Sequence, residues 1–334
     1  MVLLYGIFLV VLLFRISINK LKVYTLLILL FLLVIISIFV GVTDISVFEI
    51  LQWNQQQKLV MVISRIPRTA ALILAGVGMS VCGLIMQQMT QNRFVSPTTA
   101  GSLDAAKMGI LASLVFIPQS DLWLKSLFAF AFTFLASIVF LKIADHIRYR
   151  NVIFIPIVGL MFGGILNSIT TFFAYKNDIV QNVNAWMMGD FSGVLQGQYE
   201  LLYFSIPAVL ITYLYANKFT LVGMGEDFSK NLGLNYRAVM NIGLFCVSLT
   251  VSVVVLTIGT IPFLGLVVPN IVSVLYGDNL KNTLPITALF GAIFLLICDI
   301  IGRLIIYPFE IPIGMTVGLI GGVIFLILLI RQRR

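Results

Sequence analysis

Long apolar runs constrain this chain more than any other feature. A helix needs about 20 apolar residues to cross a bilayer at a rise of roughly 1.5 Å per residue. Ten runs approach or reach that length: 23–41, 69–88, 100–117, 124–142, 152–173, 198–216, 237–258, 263–277, 284–303 and 313–330. Pro156, Pro207 and Pro269 interrupt three of them. Lipid offers no partner to a free backbone amide, so the runs predict helices, and the short alternating segments of a β-barrel are absent.

The composition supports a membrane protein. Of the 334 residues, 60% are hydrophobic and only 10% are charged. No water-soluble domain of this length could bury that much apolar surface. The expected fold class is therefore all-α, a polytopic membrane protein with about ten transmembrane helices. Residues 21–334 are expected to form one transmembrane domain, and residues 1–20 an apolar and basic extension before it.

The basic residues predict the orientation. The net charge of +8 is scattered between the runs and forms no patch, which argues against a nucleic-acid partner. If the chain before residue 23 is inside, 14 basic residues lie inside and 6 outside, with Lys107 within a span. The outer six are Lys58, Arg65, Arg68, Lys125, Lys176 and Arg303. The positive-inside rule then places both termini in the cytoplasm.

Residues 2–14, "VLLYGIFLVVLLF", leave two alternatives open. The run is about a third shorter than a relaxed span, and its basic residues follow it, whereas a signal peptide has them before the apolar stretch. An interfacial helix and an eleventh, thin span both remain. If the run spans the membrane, the N-terminus moves outside and the rest keeps its orientation.

No catalytic, cofactor or metal motif is present. The chain has no GxxxxGK[ST], no HExxH and no Ser/His/Asp set. Cys82, Cys246 and Cys298 lie inside apolar runs and are interpreted as small membrane-core residues. The single histidine, His146, lies in a basic segment and is expected to be a solvated loop residue.

Several glycines are expected to pack helices. The stretch "GVGMSVCG" (76–83) lies within a span and lacks a following lysine, so it does not predict a phosphate site. Gly159 with Gly163, and Gly318 with Gly322, form GxxxG pairs, which allow helix backbones to approach closely.

Two charged pairs lie at membrane depth, where an unpaired charge is costly. Asp104 and Lys107 are three residues apart, and Asp299 and Arg303 are four apart, so each pair shares a helical face. The members either pair structurally or line a polar path.

A polar island, "GMGEDFSKNLGLN" (223–235), separates two apolar runs. Acids early, a lysine one turn later and a closing glycine predict a short helix. Phe228 and Leu232 are four apart and share a face that could enter a groove on a partner. The alternative is an interfacial helix on lipid. The island's candidate residues are Glu226, Asp227, Phe228, Lys230, Leu232 and Gly233.

Five motifs carry a resemblance to a known family. They are "RIPRTAALILAGVGMSVCGLIMQQMTQNRFVSPTTAG" (65–101), "WMMGDFSGV" (186–194), "GEDFSKNLGL" (225–234), "IPFLGLVVPNIVSVLYGDNLKNTLP" (261–285) and "EIPIGMTVGLIGG" (310–322). Together they resemble the FecCD-type permeases, the membrane subunits of ABC importers for iron–siderophore complexes, haem and cobalamin. The resemblance runs from about residue 23 to 334.

The resemblance implies a ten-helix type II importer permease in the bacterial cytoplasmic membrane, with no enzymatic activity or cofactor of its own. It implies a second permease subunit, two cytoplasmic ATPases that hydrolyse ATP, and an external siderophore-binding protein. Arg65, Arg68 and Arg303 match outer arginines that meet acidic residues on the binding protein. The island 223–235 matches the loop that holds the ATPase-coupling helix.

The resemblance also suggests a substrate. "NRFVSPTTAGSLDAAKMGIL" (92–111) resembles the branch that imports ferric catecholates of the petrobactin, enterobactin or anguibactin kind, in which two different permeases often pair. Haem and cobalamin remain alternatives. The start of the fifth span, "RNVIFIPI" (150–157), departs from a cobalamin-importing relative at its gate, so no gate residues are assigned.

Two other classes of protein compete with an importer permease. An ion-coupled secondary transporter would need mid-membrane carboxylates in both halves, and Asp104 has no clear twin. A membrane-embedded enzyme would need a cluster of reactive side chains, which the sequence lacks.

Overall fold

The computed structural model describes residues 23–41, 54–146 and 154–332, and this part of the chain is helical without a strand. A 3₁₀ turn, Tyr199–Phe204, precedes α7. The helices are α1 Val23–Phe39, α2 Gln55–Met89, α3 Ser102–Phe116, α4 Leu122–His146, α5 Phe154–Lys176, α6 Val180–Trp186, α7 Ser205–Leu214, α8 Ala216–Val222, α9 Glu226–Asn231, α10 Tyr236–Ile258, α11 Leu264–Tyr276, α12 Leu280–Ile305 and α13 Ile313–Gln332. The all-α prediction is confirmed.

Each of the ten expected spans corresponds to a helix or a bent pair of helices. Six helices, α2, α4, α5, α10, α12 and α13, are long and apolar enough to cross a membrane. The 3₁₀ turn and α7 form a seventh candidate with α8, bent by 68° between them. The shorter helices α1, α3 and α11 occupy the remaining three positions.

Helix α2 is the centre of the bundle and α5 lies at its edge. The most apolar window of α2 is 78% buried, whereas that of α5 is 22% buried. Helices α10, α11 and α12 pack around α2. Leu72, Met79 and Met86 of α2 are fully buried there.

Glycines allow these close contacts. A Cβ at Gly76 would lie 2.6 Å from the Gly291 carbonyl oxygen of α12, and one at Gly83 would lie 1.8 Å from the Gly265 carbonyl oxygen of α11. Both distances are shorter than any tolerated contact, so only glycine fits at either position. The helix-packing interpretation of "GVGMSVCG" is confirmed.

The two GxxxG pairs differ. At Gly159 a Cβ would lie 2.1 Å from the Thr99 carbonyl oxygen, so α5 does approach the backbone before α3 closely. Gly318 and Gly322 instead face side chains of residues 262 and 263 at 3.5 Å or more. The expectation of a close backbone contact is wrong for this second pair.

Helix α2 begins fourteen residues before the expected span, because Asn54 caps it. The Asn54 side chain accepts from the Gln57 amide, and the Gln57 side chain accepts from the Asn54 amide. A π-helical turn, Met61–Arg65, follows. Pro67 has no N–H for the Ile63 carbonyl, which instead accepts from the Gln196 amide at 3.0 Å. The proline thereby joins α2 to the segment after α6.

The three cysteines and the single histidine all lie in helices. Cys82, Cys246 and Cys298 are buried free thiols, as expected of membrane-core residues. His146 is exposed, at the last position of α4 instead of in a loop. Residues 2–14 and the extension 1–20 lie outside the described residues, so the boundary at residue 21 stays a prediction.

Candidate functional site

Candidate residues form two groups along α2. Arg65 and Arg68 lie in the first half of the helix, and Gln88 lies near its end. Twenty residues of helix separate Arg68 from Gln88, which is about 30 Å. We call the first group the charged cluster; its members are Arg65, Arg68, Asp299, Arg303 and Glu310. The second group is α9, within the island 223–235.

Arg68 is the centre of the charged cluster. Its guanidinium donates to Asp299 Oδ1 from Nη2 at 2.8 Å and from Nε at 3.2 Å. Its Nη1 donates to Glu310 Oε2 at 2.6 Å. The Asp299 side chain is 2% exposed, whereas those of Arg68 and Glu310 are 13% and 27% exposed. Arg68 therefore joins a buried carboxylate to one at the surface.

Arg303 anchors the end of α1. It forms the expected ion pair with Asp299, at 2.5 Å. Its Nη1 also donates to the carbonyls of Ser37 and Val40, at 3.0 and 2.7 Å. The last carbonyls of a helix lack intrahelical donors and carry partial negative charge, so a cation there is favourable.

Arg65 also donates to carbonyls at the end of α1. Its Nη1 donates to the Ile38 and Phe39 carbonyls, at 3.0 and 3.1 Å. Arg65 and Arg303 are 7% and 6% exposed, respectively. Arg65 and Arg303 are thus buried donors to α1, and Arg68 alone of the three retains a surface-facing edge. The docking role expected of the three arginines stays a prediction.

Helix α9 begins as expected. Gly225 has φ 111°, a backbone conformation that favours glycine, and the helix starts at Glu226. Glu226 and Asp227 occupy its first turn, where negative charge is favoured. Lys230 pairs with Glu226 at 2.7 Å.

The end of α9 is a Schellman motif. Gly233 has φ 76° and its amide donates to the Lys230 carbonyl at 2.9 Å. The next amide, of Leu234, donates to the Ser229 carbonyl at 3.0 Å. The prediction that Gly233 takes the left-handed conformation and stops the helix is confirmed.

Side-chain contacts fix α9 against the bundle. The buried Ser229 hydroxyl contacts the carbonyls of Leu221 and Gly225, at 2.8 and 2.7 Å. Gly223 packs so closely on Gln88 that a Cβ there would lie 1.9 Å from its Oε1. Helix α9 therefore packs on α8 and α10, and the connector just before it packs on the end of α2.

The outward face of α9 is apolar. Met224, Phe228 and Leu232 are 59%, 45% and 58% exposed, and they are spaced four residues apart. Large apolar side chains in line on an otherwise polar connector indicate a contact surface. Phe228 and Leu232 are both exposed, as their predicted shared face requires, and Met224 is a further exposed apolar residue just before the helix.

Lys107 and Asp104 are arranged differently from the expectation. Asp104 lies in the first turn of α3, and its Oδ2 packs on Gly163 of α5. Lys107 Nζ donates to Asn167 Oδ1 of α5 at 3.0 Å. Among the described residues no ion pair joins the two charges, although they interact through space. The direct partner of Lys107 is an amide that the sequence spacing could not indicate.

Comparisons with known proteins agree with this architecture. The model of the FecCD transport family matches residues 28–331. The chain is 53% identical to a petrobactin import system permease of Bacillus subtilis, over 93% of this chain and 99% of that protein. It is 47% identical to a ferric-anguibactin transport system permease of Vibrio anguillarum, over 88% and 94%. A solved metal-chelate type ABC transporter in an inward-facing conformation has the same fold, with a TM-score of 0.78, 23% identity, and coverage of 92% of this chain and 98% of that chain.

Proposed function

Because this chain belongs to the FecCD transport family, we propose that it is the permease subunit of an ABC importer that carries iron–siderophore complexes across the bacterial cytoplasmic membrane. The chain is a multi-pass membrane protein without enzymatic activity of its own. ATP is hydrolysed on a separate ATPase subunit, and an extracytoplasmic binding protein delivers the substrate.

The exposed apolar face of α9 is the observation that carries this proposal. Phe228 lies on this short helix, and Met224 and Leu232 lie just before and just after it, on a connector that packs on the end of α2 through Gly223. A helix with an exposed apolar face suits insertion into a groove on a partner. A movement of the partner would then be transmitted through this connector to α2. An ion-coupled transporter would have no use for such a surface, so α9 favours an ATPase-driven machine.

About 30 Å along α2 from the α9 side, Arg68 is proposed to dock the binding protein. Its guanidinium has a surface-facing edge and is held in place by Asp299. An acidic group on a binding protein could replace Glu310 as its second partner, because charged rim contacts exchange readily. Arg65 and Arg303 support this position through α1 and Asp299 instead of touching the partner.

The names of the relatives guide the choice of substrate. Proteins that are 53% and 47% identical are named for petrobactin and ferric-anguibactin. A ferric siderophore of the catecholate branch is therefore the proposed cargo, ahead of haem or cobalamin. A second permease, either a copy of this chain or a different one, completes the membrane part, with two ATPases bound on the cytoplasmic face.

Uptake by a defined strain tests the proposal. Cells without this chain, and the same cells complemented with it, are supplied with radioactive iron as ferric petrobactin or ferric anguibactin, and separately with haem and cobalamin. Complementation should restore uptake of at least one ferric siderophore and leave haem and cobalamin unchanged. In proteoliposomes that contain the complete importer, uptake should require internal ATP. Uptake that persists without ATP and follows an ion gradient would contradict the proposal.

A further inference from the structure

One cavity in the bundle has an unusual charge for a membrane protein. It lies between α3, α4, α6 and α10 and has a volume of about 370 Å³. Two lysines, Lys107 and Lys125, contribute to its wall, and Asp190 is the acid among the described lining residues. The Asp190 carboxylate already accepts from the Ser192 amide at 2.8 Å and from its hydroxyl at 2.5 Å. Among the described lining residues two ammonium groups thus face one carboxylate, and Asp104, three residues before Lys107 and outside the lining, offsets part of their charge.

The cavity lies at the end of the bundle that holds the charged cluster. Its wall includes the last residues of α10 and the segment after α6. In that segment the Gly189 carbonyl accepts from the Gly314 amide, at the start of α13 and four residues from Glu310. On the orientation predicted from the basic residues, this is the side from which a binding protein delivers substrate.

Lys107 also borders a polar stripe on α5. Asn167, Ser168 and Thr171 lie within about one turn of the helix, and all three are exposed. Polar side chains on an exposed face of a transmembrane helix are costly against lipid and favourable against water. The stripe and the cavity therefore meet at the Lys107 ammonium, which is fixed by Asn167.

We propose that this cavity is an anion-binding station for the substrate, in which Lys107 and Lys125 attract a negatively charged group of the metal chelate. The inference rests on the proposed function and specifies the charge of its substrate. A ferric tris-catecholate is strongly anionic, because dianionic catecholates outweigh the charge of one iron(III) ion. Fixed cations in a cleft with low-dielectric walls concentrate such anions.

Thiol chemistry can measure the charge of the cavity without any transport. Gly193 lines the cavity, and a Cβ at this position meets nothing within 4 Å, so Gly193→Cys is a tolerated reporter. The native cysteines are buried and should react little. The rates of modification by an anionic sulfonate and a cationic ammonium methanethiosulfonate are compared in the assembled importer. A small free thiol provides the reference ratio.

The anionic reagent should be favoured by about three- to tenfold over the reference at low salt, and the preference should shrink as salt is added. Lys107→Met with Lys125→Met should abolish it. Lys176→Met, which removes an exposed lysine of α5 outside the cavity, should leave it unchanged. A ratio equal to that of the free thiol, or one that the double variant does not alter, would overturn the proposal.

The kinetics of uptake test whether the cavity binds the substrate. For ferric petrobactin, Lys107→Met should raise the KM of uptake about three- to tenfold, and Lys107→Arg should restore it. An unchanged KM in Lys107→Met would overturn the role in transport. Failure of the wild-type importer to carry any ferric siderophore would refute the proposed function instead, while the thiol ratio would still report on the cavity.

Discussion

At the scale of single residues, the spacing of charges along one helix was informative and long-range partners were not. The pair Asp299 and Arg303 forms as its four-residue spacing predicts. The second partner of Asp299, Arg68, is 231 positions away in the chain. The sequence alone does not indicate this contact, and it does not indicate that Arg65 would donate to the carbonyls at the end of α1. Burial separates residues that share a motif into different roles.

Arg68 and Arg303 should therefore respond differently to the same substitution. Arg303→Gln removes the buried cation that bonds both the end of α1 and Asp299, so it should destabilise the protein by about 3 kcal/mol and lower its level in the membrane. Arg68→Gln should leave that level closer to normal, because Arg303 still faces Asp299. It should weaken affinity for the binding protein several-fold, with a reduced association rate. Thermal unfolding in detergent and surface plasmon resonance give the two readouts.

Lys58→Gln is the matched control for Arg68, because Lys58 is an exposed basic residue earlier on α2. It should change neither stability nor docking. Equal binding-protein affinity in Arg68→Gln and wild type would refute the docking role.

Lys107 should be coupled to Asn167 more strongly than to Asp104. In a double-mutant cycle, Lys107→Met and Asn167→Leu remove both ends of a 3.0 Å hydrogen bond, so a coupling energy of about 1 kcal/mol or more is expected. Lys107→Met and Asp104→Asn share no direct contact and should combine almost additively. Thermal unfolding of the purified variants supplies the energies. A larger coupling to Asp104 would show that the through-space interaction dominates.

At the scale of elements, apolar length and capping residues predict the helices, and tertiary bonds set their limits. The end of α9 at Gly233 follows from local chemistry, because only glycine adopts that conformation without strain. The predicted run starts only at residue 69, because Arg65 and Arg68 interrupt the apolar sequence before it, whereas α2 begins at Gln55. The missing amide of Pro67 is compensated by Gln196, a distant partner, so the helix continues through the proline.

The apolar face of α9 should be required for coupling. Phe228→Ala with Leu232→Ala removes two exposed side chains, so the fold should persist while co-purification of the ATPase falls and uptake is lost. Phe116→Ala with Ile117→Ala is the control, since these side chains are also exposed but lie at the end of α3, outside the 223–235 connector and outside the cavity lining. Wild-type ATPase retention and transport in the α9 variant would favour the alternative of a helix resting on lipid.

At the scale of the whole molecule, composition predicts a bundle of membrane helices but does not show which helices are central and which lie at the edge. Helices α2 and α5 both read as apolar spans, yet one is the core and the other an exposed edge. The close glycine contacts that bury α2, such as that of Gly76 with Gly291 of α12, exist only in the folded protein.

The orientation in the membrane can be predicted from the sequence, because it depends on the number of basic residues in each connecting segment. Arg93, Asp278 and Gly223 line one cleft, so connectors predicted to lie inside do meet at one end.

The orientation of that end is the most general prediction. The segments predicted to lie on the same side as α9 hold 14 basic residues and the other segments hold 6, so translocation of the α9 side would move the larger positive charge across the membrane. We expect the C-terminus and α9 to be cytoplasmic. Gln119→Cys and Asn231→Cys introduce exposed thiols at opposite ends of the bundle, and the native cysteines are buried. In right-side-out vesicles an impermeant maleimide should label Gln119→Cys at once and Asn231→Cys only after permeabilisation, with the unsubstituted chain as background. The reverse pattern would invert the topology and, with it, place Arg68 out of reach of any external protein.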